Sequence, residues 1–247
     1  MTVLITMAGF GSRFKEEGYI PPKYRIMAHG RTLMVWSLLS LQAFFEERFI
    51  FACLDGEDGD WIRSTAKELG IADAVVIKRC GVSRGQAETA FDALVPAESS
   101  EPLWIYNIDT CVRPNAMRPQ DIGTALACVP VFHSAEPNMS FVRYGGGGDV
   151  IEVAEKRPIS TWATVGLYGF SSAALFAQYY QEAYERGRIE LRGGERYVAP
   201  IYELMITRGD RVVAPRLKID DVHILGTPAQ VLAFDPAAHP PFGNTTR

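Results

Sequence analysis

The chain has 247 residues, 47% of them hydrophobic, and 25 Lys and Arg against 29 Asp and Glu leave a formal net charge of −4. That much apolar side chain suits one large α/β core and excludes a disordered chain. The slightly acidic balance, with no basic stripe, excludes a general nucleic-acid binder, so phosphate recognition would fall to a few placed cations and backbone N–H groups.

Met1 to Phe10 is apolar but only a strand long, and it lacks the basic flank and small-residue cleavage site of a signal peptide. Within it, Val3 to Met7 predicts a buried strand running into Gly9-Phe10-Gly11. Thr32 to Arg48 predicts a helix, with Thr32 as N-cap and an apolar stripe through Leu33, Trp36, Leu41, Phe44 and Phe45. Phe49 to Leu54 reads as a strand covered on both faces. Asp60 to Leu69 predicts a helix stopped by Gly70, Val75 to Lys78 a strand, and Arg84 to Leu94 a helix. Leu103 to Ile108 and Leu126 to Phe132 are further strands.

The second half changes character. Ser140 to Tyr144 and Val150 to Ala154 flank Gly145 to Gly148, the pattern of a hairpin. Leu167 to Phe170 predicts a strand, Ser172 to Arg186 a helix closed by Gly187, Tyr197 to Thr207 another helix, and Arg211 to Ala214 a strand. Thr227-Pro228-Ala229-Gln230 supplies an N-cap, a proline at N1 and a capping-box glutamine for the last helix. No apolar run reaches the roughly 18 residues of a membrane helix. Cys53, Cys80, Cys111 and Cys128 lack the paired spacing of a disulfide framework or zinc site. A cytoplasmic protein with no membrane partner is expected.

Strands alternating with helices predict βαβ units. The expected fold is α/β, with a Rossmann-like, mixed but mostly parallel sheet flanked by helices and a small β-hairpin region. A single domain is expected over 1–235, in halves of 1–132 and 133–235, with an irregular tail at 236–247.

Met7-Ala8-Gly9-Phe10-Gly11-Ser12-Arg13-Phe14 follows the first strand. Its glycines let the backbone approach a ligand closely, and its N–H groups can cradle phosphate oxygens. It is not a P-loop, because no Gly-Lys-Ser/Thr ends it, nor a dinucleotide fingerprint, because Phe14 stands at the third glycine. A plain strand-to-helix turn would use the same glycines. Arg13 inside the loop and Lys23, after the breaks at Gly18 and Pro21, add the cations that a triphosphate needs. Asp109 ends the Leu103 to Ile108 strand, where α/β sheets place their ligands. One carboxylate there can share Mg2+ with phosphate oxygens. Gln86, near a helix start, carries both a donor and an acceptor and can read a base edge.

Gly9-x-Gly11-Ser12-Arg13-Phe14, then Pro22-Lys23, then the helix start Gly30-Arg31-Thr32-Leu33, resembles the sugar nucleotidyltransferase family. That family holds the nucleoside-diphosphate-sugar pyrophosphorylases and related cytidylyltransferases. The resemblance extends with gaps to Gly226-Thr227-Pro228. It implies a GT-A-like fold with a nucleotide-binding first half and an acceptor-binding second half. It implies catalytic roles for Arg13 and Lys23, and nucleotide contacts from Met7, Ala8, Gly9, Gly11 and Ser12. Gly81, Ser83 and Gln86 would meet base, ribose or phosphate, with Asn107 holding the loop beside them. Glu155-Lys156 resembles the family's Glu-Lys-Pro element, although Arg157 intervenes before Pro158. Glu155 would then bind an acceptor hydroxyl, Lys156 its phosphate, and Gly166 would let the acceptor approach.

Asp109 would hold the metal, with Mg2+ as the cofactor. The family's second metal Asp stands two residues before the final Gly-Thr-Pro, where this chain has Ile224. Asp220, Asp221 and His223 are the nearest substitutes, and Asp221 is assigned the role. The implied partners are an NTP and a small phosphorylated acceptor such as a sugar 1-phosphate, and a homo-oligomer is compatible. Three other readings compete. A glycosyltransferase would lack its Asp-x-Asp, because Asn107-Ile108-Asp109 supplies only half of it. A non-catalytic nucleotide-sugar sensor would account for Ile224. A dinucleotide-dependent dehydrogenase is disfavoured by Phe14.

Overall fold

In the computed structural model, which describes residues 1–94, 99–189 and 194–238, Thr2–Thr6 forms β1, with Val3, Leu4 and Ile5 fully buried. There follow α1 (Ser12–Glu16), the short strands β2 (Met27–Ala28) and β3 (Arg31–Thr32), α2 (Leu33–Leu39), β4 (Arg48–Leu54), α3 (Gly59–Glu68), β5 (Ala74–Arg79) and α4 (Gln86–Ala93). The middle of the chain is strand-rich: β6 (Leu103–Asn107), β7 (Thr110–Val112), β8 (Ala127–Cys128), β9 (Val131–His133), β10 (Ser140–Tyr144), β11 (Val150–Glu155), β12 (Trp162–Thr164) and β13 (Leu167–Phe170). The last elements are α5 (Ala173–Tyr180), α6 (Ala199–Thr207), β14 (Val212–Val213), β15 (Val222–Ile224) and α7 (Pro228–Phe234).

Seven strands form the central sheet in the order β14-β8-β13-β6-β1-β4-β5. β6, β1, β4 and β5 run parallel, and β13 runs antiparallel between β6 and β8. The fold is therefore the mostly parallel α/β sheet that the strand–helix alternation predicts. Its two faces carry separate cores. Leu4, Ile50, Ala52, Leu103 and Ile105 belong to one, while Val3, Ile5, Phe49, Phe51, Trp104 and Tyr106 belong to the other. Alternate residues of each strand point to opposite faces, so the near-continuous apolar runs feed both cores at once. Gly169 is required here, because a Cβ on it would lie 2.7 Å from the Trp104 ring on the neighbouring strand.

A second sheet, β11-β10-β12-β9, contains the predicted hairpin. The predicted strand over 126–132 is in fact two strands in two sheets. β8 joins the central sheet and β9 the second one, with Val129 and Pro130 between them. Proline lacks the N–H that would continue a ladder. The predicted 32–48 helix stops at Leu39, where Ser40 takes its hydroxyl into a buried bond from the Val112 N–H, 2.7 Å. A 3-10 turn at Gln42–Phe44 follows, and Arg48 already belongs to β4. Helix α5 passes into a π-helical turn over Gln181–Glu185, which completes the predicted 172–186 segment. Thr227 caps α7 through the Gln230 N–H at 3.2 Å. The Gln230 side-chain carbonyl makes no reciprocal bond among the described residues. Beyond Ala238 the expected irregular tail lies outside the described residues. Among the described residues no helix is long and apolar enough to cross a membrane.

Candidate active site

β1 lies between β4 and β6, and the chain builds outward from it in both directions. Such a switch point leaves a crevice at the carboxyl ends of the strands. Thr6 and Asn107 are the register-paired last residues of β1 and β6, and both line a cleft of about 490 Å³ there. The Thr6 hydroxyl donates to the Tyr106 carbonyl at 3.2 Å and accepts from Gln86 Nε2 at 3.2 Å, which brings Gln86 to the cleft floor. Asn107 lies flat against Gly166. At φ +81°, a Cβ on Gly166 would stand 2.2 Å from the Asn107 amide nitrogen. Asn107 Oδ1 is buried and has no hydrogen-bond partner among the described residues.

The glycine loop leaves β1 after Met7. Gly11 takes φ +61° and starts α1, a short helix absent from the sequence expectation. Phe14, 2% exposed, packs edge-on against Tyr19 and anchors α1, so the position that spoils a dinucleotide fingerprint is a core residue. A Cβ on Gly11 would lie 3.6 Å from Lys23 Cβ, so the loop and the Pro22 turn touch. The residues after Lys23 fix that turn to α3. Tyr24 donates to Glu57, Arg25 pairs with Asp58 at 3.1 Å, and the Arg25 guanidinium covers the Trp61 ring at 4.3 Å. Lys23 Nζ then reaches Asp109 Oδ2 at 2.6 Å. Met7, Gly9, Gly11 and Lys23 line a second cavity of about 350 Å³, which shares Thr6, Asn107 and Asp109 with the larger cleft. Arg13 lines the larger cleft. Ala8 and Ser12 line neither.

Of the segment from Gly81 to Gln86, only Gln86 reaches the cleft. The Ser83 hydroxyl is turned to the Gly85 carbonyl at 2.9 Å, and Gly81 is exposed in a left-handed turn. Arg84 is held by Glu88 through its N–H at 2.6 Å and Nε at 2.8 Å. Burial alone would raise the Glu88 carboxyl, but these Arg84 bonds and charge outweigh it and hold the group below the usual carboxylate range.

The opposite wall comes from β10 and β11. Glu155 is buried and accepts from the Ser140 hydroxyl. Neighbouring strand residues point to opposite faces. Lys156 escapes that rule by turning left-handed, φ +50°, with its N–H on the Met139 carbonyl at 3.0 Å. Both side chains therefore line the cleft. Arg157, which interrupts the sequence motif, turns away to Glu152 at 2.7 Å. Thr6, Tyr168, Glu195 and Tyr197 also line the cleft and escaped the sequence reading. Tyr197 stood there only as the start of a helix that in fact begins at Ala199. Burial pushes the Tyr168 phenol up to about 12, so it is a neutral hydrogen-bonding group at the cleft wall.

Asp221 is not brought to Asp109. β15 pairs antiparallel with β7, which sets Ile224 opposite Thr110 and Val222 opposite Val112. The Leu225 N–H bonds the Asp109 carbonyl at 2.7 Å, and a Cβ on Gly226 would lie 3.6 Å from Asp109 Oδ2. Asp221 closes the 3-10 turn Ile219–Asp221 just before β15, three residues and about 10 Å from Ile224. There its carbonyl accepts the Arg113 N–H at 2.8 Å and its carboxylate faces Arg113 Nη1 at 3.6 Å. His223 packs on Phe234 with ring centroids 5.0 Å apart. Of the two assigned metal carboxylates, only Asp109 faces the cleft. Among the described residues no group of three or more His, Cys, Asp and Glu side chains is gathered to hold a metal.

No family model and no curated protein matches the sequence. Solved structures do. The nucleoside-diphosphate-sugar pyrophosphorylase from Vibrio cholerae RC9 superposes with a TM-score of 0.85 at 32% identity, over 95% of this chain and 99% of its own. The inositol-1-phosphate CTP transferase from T. maritima gives a TM-score of 0.74 at 16% identity, over 93% of this chain and 90% of its own. A Bacillus anthracis protein described as a glucose-1-phosphate thymidylyltransferase gives 0.74 at 17% identity, over 99% and 98%. The last two share the fold.

Proposed function

Because the chain belongs to the sugar nucleotidyltransferase family, we propose that it transfers a nucleoside monophosphate from an NTP to a small phosphorylated acceptor, a sugar 1-phosphate above all. The observation that carries this reading is the Lys23–Asp109 pair at the strand ends, 2.6 Å apart, where the cavity under the glycine loop meets the cleft walled by Glu155 and Lys156. The nucleotide, reaching from the cavity under the glycine loop to Gln86 and Arg13 in the cleft, and the acceptor at Glu155 and Lys156 would meet at that pair.

In the proposed reaction an oxygen of the acceptor phosphate attacks the α-phosphorus, the bond to the β-phosphate oxygen breaks, and pyrophosphate leaves. The acceptor phosphate is ionised near neutral pH, so no general base is needed. The protein's task is to align two anions and balance the charge that builds between them. Arg13 would meet the leaving pyrophosphate, Lys23 the α-phosphate, and Lys156 the acceptor phosphate. Glu155 would accept from an acceptor hydroxyl, and Gln86 would face the base.

The donors present fit Mg2+ of a particular kind. One carboxylate, Asp109, with the buried Asn107 carbonyl close by in sequence, suits an ion completed by water and nucleotide oxygens. It does not suit an all-protein cage. When bound, Mg2+ would neutralise charge on the phosphate oxygens.

The test is pyrophosphate release from CTP, UTP, dTTP or GTP, each against a panel of hexose, heptose, amino-sugar and polyol phosphates with Mg2+. Release that requires both substrates is expected. Transfer of sugar from a nucleotide sugar, without pyrophosphate, would support the glycosyltransferase reading instead. Tight nucleotide-sugar binding with no turnover would support a sensor.

A further inference from the structure

Lys156 takes a left-handed backbone conformation that non-glycine residues adopt at a cost, and its side chain ends between two groups from a remote segment. Its Nζ lies 3.3 Å from Glu195 Oε2, donates to the Tyr197 hydroxyl, and stands 4.4 Å from the centre of the Tyr197 ring. A carboxylate and a phenol oxygen hold one ammonium, which lies off the hydroxyl edge of the Tyr197 ring, and together they make a cation cage. The cage is built by alternation. Arg196, between the two residues, turns inward to the Tyr180 hydroxyl at 2.5 Å and Glu88 at 3.5 Å. Its neighbours therefore turn outward together. The Arg196 backbone is pinned to the start of α4, its N–H on the Arg84 carbonyl and its carbonyl on the Ala87 N–H at 2.9 Å. The cage thus stands on the element that carries Gln86.

We propose that Tyr197 and Glu195 are positioning residues of the acceptor subsite, an inference that rests on the nucleotidyl-transfer reading. Tyr197 aims the Lys156 ammonium into the cleft. Glu195 holds it until the acceptor phosphate takes the carboxylate's place. The side chains of Lys156 and Glu195 are 43% and 52% exposed, and an ion pair that exposed contributes little, so the exchange is easy. The bond to the Tyr197 hydroxyl need not break during it.

Two measurements on the full chain test this. The first needs no acceptor: the rate of acetic anhydride labelling at Lys156, read by mass spectrometry in the ligand-free protein. Labelling is expected to rise about fivefold in Tyr197→Leu and less in Glu195→Gln, on loss of a partly exposed cation contact. Equal rates in wild type and Tyr197→Leu overturn the cage. The second is the pyrophosphate assay. Tyr197→Leu is expected to raise the acceptor KM about tenfold with the NTP KM unchanged, because an interaction on the acceptor side is lost. Tyr197→Phe, which removes only the hydroxyl that holds the ammonium, is expected to reproduce most of that loss, and it also serves if the leucine variant does not fold. Lys156→Ala combined with Tyr197→Leu should be no worse than Lys156→Ala alone. Additive losses would overturn the positioning role. Altered labelling with no pyrophosphate from any substrate pair would leave the cage standing and sink the proposed reaction.

Discussion

Lys23 and Asp109 lie 86 residues apart in sequence and 2.6 Å apart in space, with side chains 17% and 29% exposed. The ammonium sits on a carboxylate oxygen that a divalent cation would need, and two cations beside one carboxylate repel each other. In the proposed reaction, nucleotide phosphates would offer Lys23 an alternative partner. Divalent cation is therefore expected to bind with the nucleotide rather than before it. Lys23→Met should raise the affinity of the nucleotide-free protein for Mn2+ about tenfold while cutting turnover, through loss of a competing charge. Electron paramagnetic resonance titration of free Mn2+ checks this, and equal affinity in wild type and variant would count against the exchange. Single residue types carried part of this site into view. Arg13, Lys23 and Asp109 stand beside glycines or at a strand end, where their charge needs a reason. Glu195 and Tyr197 do not, because their meeting with Lys156 depends on which way Arg196 turns.

At the scale of elements, the sequence pattern is read well where a run is long and apolar, and poorly where one side chain ends it. The 32–48 periodicity continues past Leu39, yet the helix ends there: Ser40 is still helical, Leu41 leaves the helical region at φ −102°, ψ +24°, and Ser40 serves as a side-chain anchor. Its hydroxyl donates to the Trp36 carbonyl at 3.2 Å and accepts the buried Val112 N–H at 2.7 Å, docking β7 beside Asp109. Ser40→Ala would strand that N–H, at a cost of about 1–3 kcal/mol. The melting temperature should fall, and an unchanged value would refute the docking role.

A similar side-chain anchor starts α4. Glu88 is buried, and although burial alone would raise its carboxyl, Arg84 outweighs that penalty and holds it below the ordinary glutamate range. A depressed folded-state pKa gives stability that is present above the unfolded pKa and lost as pH falls through the folded one. Wild-type stability should therefore decline below about pH 4.5 as this group protonates. Glu88→Gln should lose about 1–3 kcal/mol at pH 7 and show a flatter acid limb. Denaturant unfolding at several pH values checks both. Parallel acid limbs in the two proteins would remove Glu88 from the account.

The whole molecule answers whether the two halves are separate bodies. Local patterns predict a nucleotide-binding half and a hairpin-bearing half, but no local pattern says where β13 goes. It inserts between β6 and β8, in the middle of a sheet otherwise built by the first half up to its β14 edge. The cores follow: Leu4, Ala87 and Ile105 share one buried cluster with Val142, Val153 and Tyr202. Removing the second half would strip a central strand from the first and expose that cluster. At about 25 cal/mol per Å² of apolar surface, several exposed core side chains exceed the margin by which a domain of this size is stable. The chain should therefore unfold in one transition, with calorimetric and van't Hoff enthalpies equal, and a fragment ending at residue 132 should not fold. NTP should raise the midpoint of that one transition, since a ligand at the strand ends stabilises everything that unfolds with them. Two resolved transitions, or a shift confined to one of them, would show that the cleft is an interface between independent bodies.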